Sequence, residues 1–145
     1  MPTDPPADPG SASGSPVPVT AGKVEVRLGK STYRSGEAVK ATVVNGLDRA
    51  IYTEDFKTAC TIVVLQRMQG DSWTDVTGCA LGRPTLTVTI GSGLGQPVNI
   101  GANSFHLRDN PIWQGTYRIK FGYRLDRDRF GDEQTVVYST QLIVQ

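Results

Sequence analysis

The amino-acid sequence predicts an all-β fold, an antiparallel β-sandwich of seven to nine strands. The first observation is residues 38–45, which follow a Gly36 turn and place an apolar residue at every second position from Val39 to Val43. This alternation is typical of an antiparallel strand with one buried face. The second observation is that helical periodicity is absent, while short β-type runs alternate with Gly, Asn and Asp. Strands at this spacing favour a sandwich over a barrel.

The predicted strands can be followed in chain order. An apolar run at residues 61–68 predicts a central strand, and the turn at residues 69–72 joins it to the next strand in a hairpin. A second alternating run, at residues 117–123, predicts a late strand after Gly115. The candidate strands lie near residues 24–28, 38–45, 51–53, 61–68, 73–76, 86–90, 98–100, 117–124 and 136–144.

The length and composition predict one domain with an N-terminal tail. Residues 1–22 hold six of the nine prolines and few apolar residues, so they cannot bury enough surface to offset their ordering entropy. We expect residues 1–22 to be a disordered linker and residues 23–145 to be the folded domain. The linker could be a terminus without a role, a tether to a membrane anchor or preceding domain, or a proline-motif ligand.

The charge balance argues against a polyanionic partner. Fifteen Lys and Arg face fourteen Asp and Glu, which gives a net charge of +1, so no global field attracts nucleic acid or an anionic membrane. No apolar run approaches the roughly 20 residues of a spanning helix. The N-terminus of the chain does not resemble an export signal either, although a mature part trimmed of its signal would look the same. We expect a monomer with no cofactor.

Four motifs carry a resemblance to a known family. The motifs are Tyr33-x-x-Gly36-Glu37-x-Val39, a strand ending at Asn45, Gly70-Asp71-x-Trp73, and Gly115-x-Tyr117-Arg118. Their order resembles the bacterial immunoglobulin-like domains of secreted proteins and lipoproteins, over roughly residues 24–144. The resemblance implies an immunoglobulin-like sandwich in which Tyr33, Gly36 and Trp73 are structural. Tyr117 is similar in position to a tyrosine corner, whose hydroxyl bonds an upstream backbone group.

The two cysteines flank the predicted hairpin. Cys60 precedes it and Cys79 follows it, so a disulfide could close a loop of roughly 20 residues and contribute on the order of 3 kcal/mol. Reduced buried thiols are the alternative, and a metal site lacks ligands because His106 is the only histidine. A disulfide would indicate an oxidising, extracytoplasmic compartment, secreted or anchored to the cell envelope.

No catalytic or metal-binding constellation accompanies the fold. Residues 126–133 begin like a calcium loop, but Phe130 stands where a third oxygen ligand is required. The glycines of residues 91–95 precede a strand instead of the helix that a phosphate site needs. His106 is the only available imidazole, and no pair of acids is placed across a cleft. We therefore expect no enzyme activity and no metal.

Basic and aromatic residues are the candidates for partner binding. They could instead be ordinary features, with Trp113 packed under its loop and the basic residues solvated beside acidic neighbours. The candidate partner-binding residues are Trp113, Arg118, Lys120, Arg124, Arg127 and Arg129.

These features together predict a non-catalytic extracytoplasmic module that binds a protein or a glycan through its loops. One alternative is a proteinase inhibitor that presents a rigid loop at residues 105–113, and another is a structural spacer. The sequence does not favour a particular partner.

Overall fold

The computed structural model describes residues 14–55, 60–76, 86–101, 114–127 and 134–145. These residues contain twelve strands and no helix, which confirms the all-β prediction. No segment in the described ranges forms a helix able to cross a membrane. The strands are β1 (Ser15–Pro16), β2 (Val24–Leu28), β3 (Thr32–Tyr33), β4 (Val39–Asn45), β5 (Ile51–Asp55), β6 (Val64–Gln69), β7 (Ser72–Asp75), β8 (Leu86–Ile90), β9 (Leu94–Ile100), β10 (Gly115–Tyr123), β11 (Thr135–Tyr138) and β12 (Leu142–Val144).

The strand count exceeds the expected seven to nine for local reasons. β1 and β3 have two residues each, too few to show any period in the sequence. The single strand expected at residues 136–144 is divided into β11 and β12. At the division, Ser139 donates its backbone N–H to Ile119 and its hydroxyl to the Thr140 carbonyl oxygen.

The first sheet has the strand order β1-β9-β4-β2 and is antiparallel throughout. Its central strand, β4, follows a turn in which Glu37 N–H donates to the Arg34 carbonyl oxygen. Gly36 occupies the third position of this turn with φ of 83°, a conformation that suits glycine. Val39, Ala41 and Val43 of β4 are buried, as their alternation predicts.

The second sheet has the order β3-β12-β10-β6-β7, and β11 also pairs with β10. β6 and β7 form the predicted hairpin, with Met68 opposite Trp73. All pairs are antiparallel except β3 with β12. β10 is the central strand, and alternate residues from Tyr117 to Tyr123 are buried.

A two-stranded sheet, β5 with β8, extends the structure beside the end of β10. Tyr52 and Arg124 exchange backbone hydrogen bonds of 2.9 and 2.8 Å. Thr53 donates its hydroxyl to the Gly122 carbonyl oxygen at 2.7 Å. These bonds join β5 to the end of β10.

The first two sheets share one hydrophobic core. The first contributes Val39, Val43 and Ile100, and the second contributes Leu65 and Phe121. All five side chains are fully buried. Because each such side chain contributes roughly 1.5–3 kcal/mol when removed from water, this core holds the sheets together and leaves each with an outward face.

Residues 14–22, expected to belong to the linker, instead pack on the first sheet, and we call them the strap. β1 pairs with Leu94 and Gly95 of β9, and Gly22 N–H donates to the Gly46 carbonyl oxygen at 2.8 Å. A Cβ at Gly46 would lie 2.0 Å from the Thr20 carbonyl oxygen, so the absence of a side chain there lets the strap approach. Residues 1–13, the rest of the predicted linker, lie outside the described residues.

The strap covers part of the outward face of the first sheet. Val44 is 1% exposed but is absent from the shared core cluster, and Val17 lines the same groove as Val44. Arg27 donates to the Pro18 carbonyl oxygen and forms an ion pair with Glu25 at 2.9 Å. The hydrogen bond from Arg27 lowers the pKa of the Glu25 carboxyl. The strap is therefore fixed by both apolar and polar contacts.

Tyr33 lies just before the turn that leads into β4, and its side chain reaches the core. Its ring is 2% exposed, its hydroxyl donates to the Lys40 carbonyl oxygen at 3.1 Å, and it accepts from Lys30 N–H at 3.3 Å. The Lys30 ammonium lies 5.0 Å from the ring centroid. Tyr33 therefore satisfies its hydroxyl with backbone groups while its ring is buried.

Candidate interaction surface

The outward face of the second sheet brings several sequence-predicted residues together. Since side chains alternate along a strand, Arg118 and Lys120 point away from the core while Tyr117, Ile119 and Phe121 point into it. Both basic residues are partly exposed. They lie on the central strand of the sheet and are therefore held by a rigid backbone.

Two aromatic side chains on other strands contact Arg118. Its guanidinium carbon lies 4.4 Å from the ring centroid of Trp73 on β7 and 3.8 Å from that of Tyr138 on β11. Both distances are within the range of cation–π attraction. Trp73 is half-buried, whereas Tyr138 is 48% exposed. We call Trp73, Arg118, Lys120 and Tyr138 the cationic patch.

A polar relay fixes the orientation of the guanidinium. Arg118 Nε donates to Gln66 Oε1 at 2.8 Å, and Gln66 Nε2 donates to Asp75 Oδ1 at 2.8 Å. The three residues lie side by side because Arg118 pairs with Gln66 in the sheet and Gln66 pairs with Asp75. The relay occupies Nε and leaves the two terminal nitrogens of Arg118 for other contacts.

The cationic patch has no internal counter-ion. Among the described residues, neither Arg118 nor Lys120 forms an ion pair with a carboxylate. Asp75 is bonded to the Gln66 amide and reaches Arg118 only through it. Within the described ranges, no carboxylate therefore forms an ion pair with the positive charges of the patch.

Exposed apolar side chains lie beside the patch. In the sheet, Tyr138 pairs with Lys120, Val136 pairs with Gly122, and Ile143 pairs with Thr116. Val136 is 39% exposed and Ile143 is 49% exposed. This surface combines positive charge with exposed apolar area, which is typical of interaction sites.

Arg124 corrects the expectation of a continuous basic row on β10. Its side chain is buried, and its Nη1 forms an ion pair with Glu54 Oε1 at 2.8 Å. Arg124 also donates to the carbonyl oxygens of Asp126 and Arg127 at 3.1 Å each. The reason is that β10 ends at Tyr123, and Arg124 then pairs with β5, whose Glu54 supplies the opposite charge. Arg124 is a structural residue.

Two other predicted site residues that the structure describes, Arg127 and Tyr117, do not join the patch. Arg127 is exposed in the segment after β10. Tyr117 is 2% exposed, and the Arg67 guanidinium carbon lies 5.9 Å from its ring centroid; whether Tyr117 forms a tyrosine corner stays a prediction. Trp113 and Arg129 lie outside the described residues, as do His106 and the inhibitor loop at residues 105–113.

Of the two cysteines predicted to form a disulfide, the structure describes Cys60. Cys60 is fully buried and belongs to the hydrophobic core. Cys79 lies outside the described residues, so the bond between the two cysteines stays a prediction.

The sequence reasoning missed Tyr138, Gln66 and Asp75. A usable signal existed for Tyr138, because it lies two residues after Val136 in the candidate strand at residues 136–144 and therefore on the same face. Its position opposite Lys120 depends on the strand register, which requires the exact length of the turn. Gln66 was missed because it lies within the mainly apolar run of residues 61–68, which predicted only a buried strand.

A second surface of some size lies on the first sheet. It is an open groove of about 660 Å³ beside the strap, lined by Val17, Pro18, Thr42, Lys40 and Pro97 among others. Val17 and Pro18 of the strap form one wall of this groove. Across the parts of the chain that the structure describes, no cluster of three or more His, Cys, Asp or Glu could hold a metal ion.

Comparisons with known proteins add little to this geometry. No protein-family model and no curated protein matches the sequence. Among solved structures, the chain is similar to the crystal structure of Spo0M, a sporulation control protein from Bacillus subtilis, with 20% identity and a TM-score of 0.40. The similarity covers 88% of this chain and 50% of Spo0M, so the chain spans about half the length of that protein.

Proposed function

We propose that this chain is a non-catalytic interaction module that binds a protein or a glycan through the cationic patch. The observation that carries the proposal is Arg118, which lies against Trp73 and Tyr138 and has no carboxylate partner among the described residues. The sequence alone favoured binding through loops. The sheet face is the better candidate because its side chains are held in place before binding.

The composition of the patch supports a role in binding. Trp, Tyr and Arg are the residue types that contribute most of the energy at protein interfaces. Stacking and the Gln66 relay restrict the Arg118 side chain in advance, so less conformational entropy is lost on binding. A sheet face with exposed Val136 and Ile143 is suited to a large partner.

We also propose that the fold is an immunoglobulin-like sandwich and that the module works outside the cytoplasm. Two largely antiparallel sheets around a shared core support the first statement. The two cysteines support the second. Intact-mass measurement after alkylation without reductant tests whether the two cysteines are bonded. We expect no alkylated thiol in exported protein. Alkylation of both cysteines would contradict the disulfide.

The binding role is tested by capture from extracellular and cell-envelope fractions of the source organism. The wild-type domain is compared with Arg118→Glu, which reverses the charge of the patch. Lys40→Glu is the matched control, because Lys40 is exposed on the outward face of the first sheet. Circular dichroism and thermal unfolding establish that each variant is folded.

We expect the wild type and Lys40→Glu to capture the same partner and Arg118→Glu to lose it. Equal capture by all three folded proteins would reject the cationic patch as the binding site. Absence of any partner in both fractions would favour the alternative of a structural spacer.

A further inference from the structure

We infer that the partner of the cationic patch is an acidic protein surface, in which neighbouring Asp or Glu carboxylates bind Arg118 and Lys120. This inference rests on the proposed function and names the chemistry of the partner. It follows from the free donors of the patch, their spacing, and the apolar and acidic groups around them.

The free donors of Arg118 suit a carboxylate. With Nε bonded to Gln66, the outer edge of the guanidinium still presents the N–H groups of its two terminal nitrogens. A planar pair of donors binds a carboxylate through two parallel hydrogen bonds, and such charge-assisted bonds are stronger than neutral ones. The ring centroids of Trp73 and Tyr138 lie 4.4 and 3.8 Å from the guanidinium carbon, so the terminal N–H groups are the part left for recognition.

The spacing of the two cations indicates more than one carboxylate. Arg118 and Lys120 are two residues apart on one strand and project on the same side, which corresponds to a separation of roughly 6.5–7 Å between their Cα atoms. Acidic residues at alternate positions of an extended segment have this same spacing. An acidic strand or extended loop can therefore place one carboxylate on each cation.

Apolar exposure favours a protein over an acidic glycan. Val136 and Ile143 lie on the same outward face, and aliphatic side chains are suitable contacts for a protein surface. A sugar ring would stack on a free aromatic face, but Arg118 already occupies one face of both Trp73 and Tyr138. A sugar that stacks on those same faces would compete with Arg118.

Asp75 limits where the partner's acids can lie. It sits on β7 in line with Gln66 and Arg118, so a carboxylate on that side of Arg118 is repelled. The favourable position is on the opposite side, toward Lys120 and Tyr138. The mixed charge of this face and the net charge of +1 disfavour extended polyanions such as nucleic acid.

Three probes test the inference by NMR titration of the whole chain. The first is a seven-residue peptide, Ser-Glu-Val-Glu-Val-Glu-Ser, the second is its counterpart with Gln in place of Glu, and the third is polygalacturonate. The signals followed are the Arg118 Nε–H, the Trp73 indole N–H and the backbone amides of β10 and β11. Lys40→Gln is the control variant on the other sheet.

We expect the Glu peptide to shift these signals and to bind more weakly as salt increases. The Gln peptide and the variant Arg118→Gln should each lower the affinity roughly tenfold or more, which corresponds to about 1.4 kcal/mol or more. Arg118→Lys should also weaken binding, because a lysine lacks the planar pair of donors. Lys40→Gln should bind as the wild type does.

Equal binding of the Glu and Gln peptides would overturn the inference, since recognition would then be apolar. Preferential shifts with polygalacturonate would also overturn it and would identify an acidic glycan, while the proposed binding role would stand. If no probe shifts the patch signals at millimolar concentration, the acidic-protein inference fails, and the capture experiment decides the proposed function separately.

Discussion

Replacing Arg124 with methionine removes one partner of a buried ion pair while keeping much of the side-chain volume. Arg124 and Glu54 are 7% and 8% exposed, and their charged atoms are 2.8 Å apart. The substitution leaves the Glu54 carboxylate buried without this counter-charge and removes the donors to two carbonyl oxygens. Breaking such a pair from one side costs about 3–5 kcal/mol.

This loss of stability can be measured by urea and thermal unfolding. For a domain of this size, we expect the melting temperature to fall by roughly 10–20 °C. The double variant Arg124→Met, Glu54→Gln should lose less than the sum of the single variants, by about 1–3 kcal/mol, because the carboxylate that lost its Arg124 counter-charge is gone as well. A cost below about 1 kcal/mol for Arg124→Met would refute the reasoning, since that is the scale of a solvated pair.

Three further predictions concern the strap, Tyr33 and Glu25. Deleting residues 1–20 should uncover Val44 and lower the free energy of unfolding by about 1–3 kcal/mol, whereas deleting residues 1–13 should leave it unchanged; equal stability of both truncated chains would show that the strap contributes nothing. Tyr33→Phe should cost about 1 kcal/mol in denaturant unfolding, because its hydroxyl makes two backbone hydrogen bonds, and no change would mean that water replaces them. Since the pKa of Glu25 is lowered in the folded state, its contribution to stability is present above about pH 5 and decreases as the pH falls through the folded-state pKa. The stability difference between wild type and Glu25→Gln should therefore shrink on acidification, and a difference that grows would contradict the sign.

Local patterns predicted the parts of the fold that have a clear period. The alternation from Val39 to Val43 predicted the inward face of β4. The alternation from Tyr117 to Tyr123 predicted the inward face of β10 in the same way. The hairpin of β6 and β7 followed from its turn residues.

Contacts between distant parts of the chain could not be predicted from such patterns. The prolines of residues 14–22 indicated a linker. These residues instead contact Gly46 and β9, which lie much later in the sequence. Alternation placed Arg124 on the exposed row of β10, whereas Glu54 on another strand holds it inside. In each case a partner remote in sequence decided the outcome.

The candidate site was predicted in part. Arg118 and Lys120 were recognised as outward neighbours on one strand, and the structure places both on the same outward face. Their relation to Trp73 and Tyr138 depends on three strands being in register. Register is set by turn lengths and packing, so the aromatic contacts became visible only in the structure.

The position of the strap on the first sheet determines where a force applied at its N-terminal end acts on the fold. Gly14, the first residue that the structure describes, lies beside β9 on the side of the first sheet, and the cationic patch lies on the far side of the second sheet. An attachment that pulls at Gly14 would therefore act on the face of the fold opposite the patch. Traction on that attachment would act first on the two residue pairs between β1 and β9, so the strap could peel away while the sheet that carries the patch stays intact.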